Sequence, residues 1–265
     1  MAAAATVYTA LIGCPVLVSV VTPCLNAARY LAETLESVRS QTHPQVEHLV
    51  VDGGSTDGTL DLLRAAPGVD WTTGRDASMY DAINKGFRRA RGEVLAYQNA
   101  DDRYVTPDAV SSAVRHLLDH PETDVVYGDF RYIDEAGRPV PGGERRSPPF
   151  ERRLLLRYNF IPPHCTFLRA RVVKEDGLWL DPTLRYPGDW DWFVRMALAG
   201  KTFAHLDKVL AEFRLHPRSQ TATLGWLSKM REWRRICRKN RTSFPLLLWY
   251  ETLYVPVRRR LGIAP

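Results

Sequence analysis

Two adjacent carboxylates, Asp101 and Asp102, lie three and four positions after the short apolar run Val94–Gln98. Neighbouring carboxylates repel each other, and a compact site would raise one pKa unless a cation or hydrogen-bond donors intervene. Mg²⁺ and Mn²⁺ prefer one or two carboxylates together with phosphate oxygens. The pair therefore fits a divalent metal on a phosphorylated ligand, and it fits equally well a helix cap or a plain turn.

The segments around this pair alternate between strands and helices. Short apolar runs predict strands at 16–21, 46–52, 69–72, 94–98 and 125–127. Apolar residues at helical spacing predict helices in between, the first around Leu31, Leu35 and Val38. This order predicts an α/β fold with a doubly wound, mostly parallel sheet flanked by helices. Ligands of such sheets bind beyond the carboxyl ends of the strands, where Asn26, Asp52 and the Asp101–Asp102 pair would meet.

The chain after residue 130 follows another pattern. Residues 131–150 are rich in glycine, proline and charge, which predicts a hairpin or mobile loop. Further strands are predicted at 164–168 and 209–215, with helices at 188–199 and 226–240. We therefore divide the chain into a tail (1–15), a first half (16–130), a second half (131–222) and a C-terminal helical extension (223–265).

The bulk composition is that of one large globular domain of 265 residues with a net charge of +6. Ten lysines and arginines lie between Lys229 and Arg260 against two glutamates, a pattern that suits an anionic surface such as a membrane or nucleic acid. The first fifteen residues lack the early basic residue of a secretory signal, and no run approaches the ~20 apolar residues of a membrane span. We expect a cytoplasmic protein.

Four motifs occur in an informative order: Val18–Pro23 with Asn26, Val50–Thr59, Asn84–Gly86, and Asn99–Asp102. In this order and spacing the chain resembles the family 2 glycosyltransferases, over roughly residues 15–220. The bacterial members that build lipopolysaccharide, capsule or exopolysaccharide share a segment like Tyr80–Gly86. The resemblance implies the GT-A fold and an inverting transfer of a sugar from a nucleotide-sugar donor to a saccharide or lipid-linked saccharide acceptor.

The resemblance also implies roles for the first half. Asp52 would lie near the nucleotide base, Asp101 near the ribose, and Asp102 would hold Mn²⁺ or Mg²⁺ on the diphosphate of a UDP-, GDP- or dTDP-linked sugar. Gly53 departs from the family pattern, since many relatives have a second aspartate there that contacts the base. The remaining expected donor-binding residues are Pro23, Asn26, Asn84, Arg75 and Asp81. For the last two, surface charge and helix capping are equally good interpretations.

The second half would supply the catalytic base. Sugar transfer needs a group that takes the proton of the acceptor hydroxyl. Asp189 matches the acidic motif of the family, and a helix N-terminus keeps a carboxylate ionised. Asp191 is the alternative base, or binds sugar hydroxyls. Trp190 and Trp192 offer faces on which a sugar could stack, although core packing explains at least one of them.

Two histidines, His164 and His216, are further candidates. His164 lies in a segment that lines the donor site in similar enzymes, so we expect it to contact sugar. His216 precedes the segment 217–220, which could close over the diphosphate, and it would bind the metal or a phosphate. A lone histidine is more often structural than a ligand, and that alternative stays open for both.

The helix predicted at 226–240 is basic and amphipathic. It would either lie in a membrane interface, which a lipid-linked acceptor would make sensible, or pack on the core with a solvated basic face. In the first case the enzyme would attach peripherally to the inner face of the plasma membrane.

Two rivals remain from the sequence. A nucleotidyltransferase would carry a basic, glycine-rich loop where this chain has Cys24–Ala28. A nucleic-acid-binding protein is suggested by the pI of about 9.2, but the basic residues cluster outside any nucleic-acid motif. We therefore expect no nucleic-acid partner.

Overall fold

The computed structural model describes residues 16–219, 223 and 225–242. Within them a nine-stranded sheet is flanked by eight helices. The strands are β1 (Val18–Cys24), β2 (Val46–Asp52), β3 (Val69–Thr73), β4 (Val94–Tyr97), β5 (Arg103–Tyr104), β6 (Val125–Ile133), β7 (Pro139–Arg145), β8 (Thr166–Arg169) and β9 (Phe203–Arg214). The helices are α1 (Leu31–Arg39), α2 (Thr59–Ala65), α3 (Met79–Arg89), α4 (Ala109–Asp119), α5 (Arg152–Leu155), α6 (Ala170–Lys174), α7 (Gly188–Leu198) and α8 (Trp226–Asn240).

The strand order is β3-β2-β1-β4-β8-β6-β9-β5, with β7 paired to β6. The first four strands are parallel, as their alternation with helices predicts, and β6 also runs parallel to β9. β8 enters between β4 and β6 and runs antiparallel to both. The predicted α/β sheet is therefore confirmed, and the antiparallel strand at its centre was not foreseen.

Helices cover both faces of the sheet. Alternate residues of the buried strands point to opposite sides, so each face has its own apolar cluster. On one face Val21 packs in a cluster with Phe87 of α3 and Trp192 of α7. On the other face Val18 and Val20 pack with α4. This packing fixes the carboxyl ends of β1, β2 and β4 at one edge of the sheet.

The second half differs from its prediction in length more than in type. Residues 125–145 form the β6–β7 hairpin, which continues the predicted fifth strand by six residues, to Ile133. β9 begins at Phe203, six residues before the predicted strand. Its first residues pair with β6 although they do not form a continuous apolar run. The boundary proposed at residue 130 thus falls inside β6.

Helix α8 coincides with the predicted C-terminal helix. Its apolar residues Trp233, Ile236 and Cys237 are buried against the core that contains α7. Burying one isoleucine side chain contributes roughly 1.5–3 kcal/mol. The apolar face of α8 is therefore used in packing against the core. No helix in the described part of the chain has the length and hydrophobicity needed to cross a bilayer.

Candidate functional site

A cleft of about 800 Å³ opens at the carboxyl ends of β1 and β4 and extends to the N-terminus of α7. Six of the predicted site residues line it, from both halves of the chain: Pro23, Asn26, Asp101, His164, Asp189 and His216. Seven others lie outside its wall: Asp52, Arg75, Asp81, Asn84, Asp102, Trp190 and Asp191. The cleft is thus the place where the β1 and β4 loops meet α7.

The accessible carboxylate of the Asp101–Asp102 pair is Asp101. Its Oδ2 lies 2.8 Å from Nε2 of His216, and the Asp101 side chain is 30% exposed. The His216 ring also packs against Tyr30, with ring centroids 5.0 Å apart. Asp101 and His216 therefore form a pair of potential oxygen and nitrogen ligands on the cleft wall.

Asp102 points into the protein. One of its oxygens accepts the backbone N–H of Arg214 at 3.0 Å, and the other accepts the Asn99 amide at 2.8 Å. Burial raises the pKa of the Asp102 carboxyl well above its ordinary value, and the charge of Asp101 raises it further. This position suits a structural link between the β4 loop and the end of β9.

Arg214 explains how Asp101 and His216 come together. It is the last residue of β9 and is 1% exposed. Its Nε donates to the Asp101 carbonyl at 3.0 Å, and its Nη2 pairs with Glu33 at 2.8 Å. A buried, hydrogen-bonded guanidinium holds both chain segments, so the residue two positions later lies beside Asp101.

Asp52 is fully buried at the end of β2 and organises the loop that follows. Its Oδ2 accepts the backbone N–H groups of Gly54 and Ser55, both at 3.0 Å, and the Thr73 hydroxyl at 2.6 Å. Burial raises the pKa of the Asp52 carboxyl, but these hydrogen bonds outweigh it, and the net pKa lies below its ordinary value. The carboxylate therefore stays charged and its acceptor capacity is largely used within the chain.

Gly53 leaves room beside another carboxylate. A Cβ atom on Gly53 would lie 3.3 Å from Oδ2 of Asp76, an oxygen that is buried without a hydrogen-bond partner in the described residues. The other Asp76 oxygen pairs with Lys85 at 2.6 Å. Many related sequences have a second aspartate at the position of Gly53. In this chain that position lies next to the Asp76 carboxylate of the β3–α3 loop.

Two of the other predicted residues near this loop, Asp81 and Asn84, make hydrogen bonds within the framework. Asp81 accepts the Ala77 N–H at 3.0 Å and pairs with Lys85. Asn84 is buried and exchanges two hydrogen bonds with the backbone of Leu180, at 2.8 and 3.1 Å. Arg75 is exposed, and its carbonyl accepts from Lys85.

Asp189 occupies the first turn of α7 and faces the cleft. The Asn159 amide donates to its Oδ2 at 3.1 Å. Burial raises the pKa of the Asp189 carboxyl, although hydrogen bonds from backbone amides, Asn159 and the Tyr80 hydroxyl oppose the rise. A carboxylate with a raised pKa is a stronger base than a solvated one, which suits proton abstraction near neutral pH.

The start of α7 is packed so closely that only glycine fits at position 188. A Cβ there would lie 2.4 Å from the ring of Tyr80, and the Tyr80 hydroxyl accepts the Gly188 N–H at 2.9 Å. This contact fixes the direction in which α7 begins, and hence the position of Asp189.

Asp191 lies on the opposite side of α7, fully buried. It pairs with Arg195 at 2.8 Å and with Lys239 of α8 at 3.0 Å, and it accepts the Asn240 amide at 2.8 Å. The Asp191–Arg195 pair is a salt bridge within α7. Asp191 joins α7 to α8, and Asp189 is the carboxylate of this motif that lines the cleft.

The indole at the cleft wall comes from α8. Trp190 is buried, donates to the Leu155 carbonyl at 2.7 Å, and lies 4.5 Å from Trp233 between ring centroids. Trp233 lines the cleft, and its Nε1 has no hydrogen-bond partner in the described residues. Trp192 packs in the core against Phe87.

His164 is buried at the cleft wall between two aromatic rings, Phe130 and Phe213, at centroid distances of 5.0 and 5.4 Å. Neither ring nitrogen has a hydrogen-bond partner in the described residues. Burial lowers the pKa of His164 to about 3. The ring is therefore neutral at physiological pH, able to donate one hydrogen bond and accept another.

Asn159 and Trp233 were not predicted from the sequence. Asn159 directly precedes the apolar segment Phe160–Pro163, and this position at the end of an apolar run was its only signal. Trp233 belongs to the apolar face of an amphipathic helix, a position that predicts core packing as readily as a site.

Comparison with known proteins gives the relationship of the chain. The model of the family described as "Glycosyl transferase family 2" matches residues 19–177. A PGL/p-HBAD biosynthesis glycosyltransferase of Mycobacterium bovis is 36% identical over 184 residues, covering 67% of this chain and 68% of that protein. An uncharacterised glycosyltransferase of Mycobacterium tuberculosis is 30% identical over 189 residues, covering 68% and 69%.

Two solved structures share the fold. Staphylococcus aureus TarS 1–349, in complex with UDP-GlcNAc, superposes with a TM-score of 0.69 at 19% identity, over 84% of this chain and 66% of TarS 1–349. The mannosyltransferase PcManGT of Pyrobaculum calidifontis, in complex with GDP-Man and Mn²⁺, superposes with a TM-score of 0.65 at 18% identity, over 94% and 71%. The chain therefore spans just under two thirds of TarS 1–349.

Proposed function

The chain belongs to glycosyl transferase family 2 and has the GT-A fold, and on this basis we propose that it is an inverting enzyme of cell-surface saccharide synthesis. It moves a sugar from a nucleotide-sugar donor to a saccharide or lipid-linked saccharide acceptor. One observation carries the proposal: the Asp101–His216 pair and the separate carboxylate Asp189 line the same cleft. Transfer needs one site for the leaving diphosphate and one for the attacking hydroxyl.

The donor occupies the part of the cleft formed by the loops after β1 and β4, with Pro23, Asn26 and Asp101 as contacts. The solved relatives contain UDP-GlcNAc and GDP-Man, so UDP-, GDP- and dTDP-linked sugars are the donors to test. Asp52 keeps the β2 loop in shape for the base. Asp76 supplies a carboxylate near the nucleotide base, in place of the second aspartate that many related sequences have at the position of Gly53.

A divalent metal fits the Asp101–His216 pair. No group of three or more histidine, cysteine or acidic side chains in the described residues could hold a metal alone. A site with two protein ligands is completed by phosphate oxygens and water, as Mg²⁺ and Mn²⁺ sites on nucleotides often are. A metal bound there would neutralise the charge that develops on the leaving diphosphate. This assignment moves the metal from Asp102, which the resemblance indicates, to Asp101, the carboxylate with an exposed oxygen.

The acceptor hydroxyl gives its proton to Asp189 as its oxygen attacks the anomeric carbon from the side opposite the diphosphate. Asn159 holds the Asp189 carboxylate in place, and Tyr80 fixes the turn that carries it. The bond from the sugar to the diphosphate breaks as the new glycosidic bond forms. A single displacement of this kind inverts the anomeric configuration.

Trp233 and His164 complete the sugar contacts. The Trp233 indole lines the cleft and takes the sugar-stacking role that the sequence predicts for Trp190. The Trp190 side chain itself is buried in the core. The neutral His164 ring offers one donor and one acceptor to a sugar hydroxyl. The enzyme works in the cytoplasm, where nucleotide sugars are made, at the inner face of the plasma membrane when its acceptor is lipid-linked.

Replacing Asn159 by Ala should move the acid limb of the pH–rate profile to higher pH. The Asn159 amide stabilises the charged form of Asp189, so its loss raises a pKa that burial has already raised. The base must be deprotonated to act, so kcat/KM falls at low pH and recovers as pH rises. A uniform loss at every pH, with an unchanged midpoint, would show that Asn159 acts only through packing.

The donor class can be identified by thermal stabilisation. Purified protein is heated with UDP-, GDP-, dTDP- and CMP-linked sugars, each with Mn²⁺ and with EDTA. We expect one nucleotide class to raise the melting temperature in Mn²⁺ and to lose that effect in EDTA, since a ligand at 100 times its Kd stabilises by about 2.7 kcal/mol. A panel without any shift would contradict the donor site.

A further inference from the structure

Helix α8 presents two different faces. Trp233, Ile236 and Cys237 face the core, whereas Leu227, Arg231, Arg234 and Arg238 are exposed. The intervals between these four exposed residues are four, three and four positions, which places them in one line along the helix. We call these four residues the arginine stripe.

The three arginines of the stripe have no partner in the described part of the chain, whereas Glu232 and Lys239 beside them do. Glu232 accepts the backbone N–H groups of Arg185 and Tyr186. Lys239 pairs with Asp181 and Asp191, both at about 3 Å. Like charges three and four positions apart destabilise a helix, and a bound anionic surface would remove this cost.

The residues next to the stripe decide which anionic surface fits. Leu227 is 62% exposed and continues the line of arginines with an apolar side chain. Beyond α8, the sequence 243–265 contains Leu246–Tyr250 and Arg258–Arg260, with Glu251 as its one acidic residue. Basic residues close to large apolar residues are typical of contact with anionic lipid, where cations meet headgroups and apolar side chains enter the interface. A nucleic-acid backbone would use the cations and would leave the exposed Leu227 side chain without a role.

The same helix also forms part of the cleft. Trp233 lines the cleft. Glu232 accepts the backbone N–H groups of residues 185 and 186, and α7, which carries Asp189, begins two positions later. A surface that binds α8 is therefore mechanically connected to the acceptor part of the site.

We propose that the arginine stripe docks α8 on an anionic phospholipid surface, so that the enzyme takes its acceptor from that surface. The acceptor class is then a saccharide or hydroxyl group carried on a membrane-anchored lipid. The claim about the acceptor rests on the proposed transferase function, whereas the docking itself does not. The cleft and the lipid surface use different faces of α8, so each can be tested without the other.

The test is flotation of the full chain with vesicles of phosphatidylcholine, with and without phosphatidylglycerol. The variant carries Arg231→Gln, Arg234→Gln and Arg238→Gln. The charge-matched control carries Arg39→Gln, Arg64→Gln and Arg115→Gln, three exposed arginines on α1, α2 and α4. Wild type and control should bind only the anionic vesicles. The stripe variant should bind them about 100-fold more weakly, because each cation near an anionic bilayer contributes about 1 kcal/mol.

Two further readouts keep the docking separate from the transferase. The stripe variant should keep the melting temperature of the wild type and its stabilisation by the donor. Equal vesicle binding by the stripe variant and the wild type would overturn the proposal, as would binding that does not depend on phosphatidylglycerol. Displacement of the protein from anionic vesicles by RNA at equal phosphate concentration would also overturn it, in favour of a nucleic-acid surface.

Discussion

Asp189→Asn should reduce kcat by about 10²–10⁴-fold, the usual contribution of a general base. The amide keeps the size of the side chain and the turn that begins α7, but it cannot take the proton of the acceptor hydroxyl. Donor binding should stay at the level of the wild type, because the Asp101–His216 pair is unchanged. Steady-state kinetics with the donor identified by thermal stabilisation measure kcat. The rise in melting temperature that this donor causes measures donor binding.

The matched control is Asp191→Asn, two positions along the same helix. Asp191 is buried and compensates Arg195 and Lys239, so neutralising it should lower the free energy of unfolding. The loss should be roughly 1–3 kcal/mol, less than for a fully buried pair because both partners are partly exposed. Its kcat should stay within a few-fold of the wild type while the protein is folded. The reverse pattern, with Asp191→Asn inactive and Asp189→Asn active, would make Asp191 the base.

Asp101→Asn and His216→Ala should each abolish the part of donor stabilisation that depends on Mn²⁺. Changing residues that merely support metal ligands typically costs 10–100-fold in metal affinity, so loss of a ligand should cost at least about 100-fold. Titration of Mn²⁺ in the presence of the nucleotide, followed by the electron paramagnetic resonance of the free ion, measures this affinity. Both variants should unfold near the temperature of the wild type without ligands.

Asp102→Asn separates the two neighbouring carboxylates. Its effect should appear in the free energy of unfolding, by about 1 kcal/mol, because the change weakens one buried hydrogen bond. Mn²⁺ affinity should be nearly unchanged, since Asp102 faces Arg214 and Asn99 and does not line the cleft. If Asp102→Asn abolished metal-dependent donor binding and Asp101→Asn spared it, the metal would belong to Asp102.

Much of the fold could be predicted because each element carried its own local signal. β1, β2 and β4 are apolar runs of the length of a strand, and α8 begins and ends where its amphipathic pattern does. The antiparallel entry of β8 between β4 and β6 could not be predicted, since strand order depends on long-range pairing that a local pattern does not contain. The two-residue strand β5 is too short to show any periodicity.

The cleft could be predicted in part. Positions after strands predict that Asn26, Asp52 and the Asp101–Asp102 pair meet, and the family resemblance adds Asp189 and His216 to the same site. The sequence cannot say which of two adjacent aspartates faces outward, because that depends on the backbone N–H of Arg214, 112 residues away. For the same reason Trp190 and Trp233 could not be told apart before the packing of α8 on α7 was known.

The stereochemistry of the transferred sugar tests the account most directly. The donor identified by thermal stabilisation, carrying an α-linked sugar of gluco configuration, is incubated with Mn²⁺ and simple glycosides as acceptors. Proton NMR of the product then reads the coupling of the new anomeric proton. The account predicts a β-linked product with a large diaxial coupling, formed at a rate that depends on Asp189. An α-linked product would contradict single displacement and the role of Asp189 as the base.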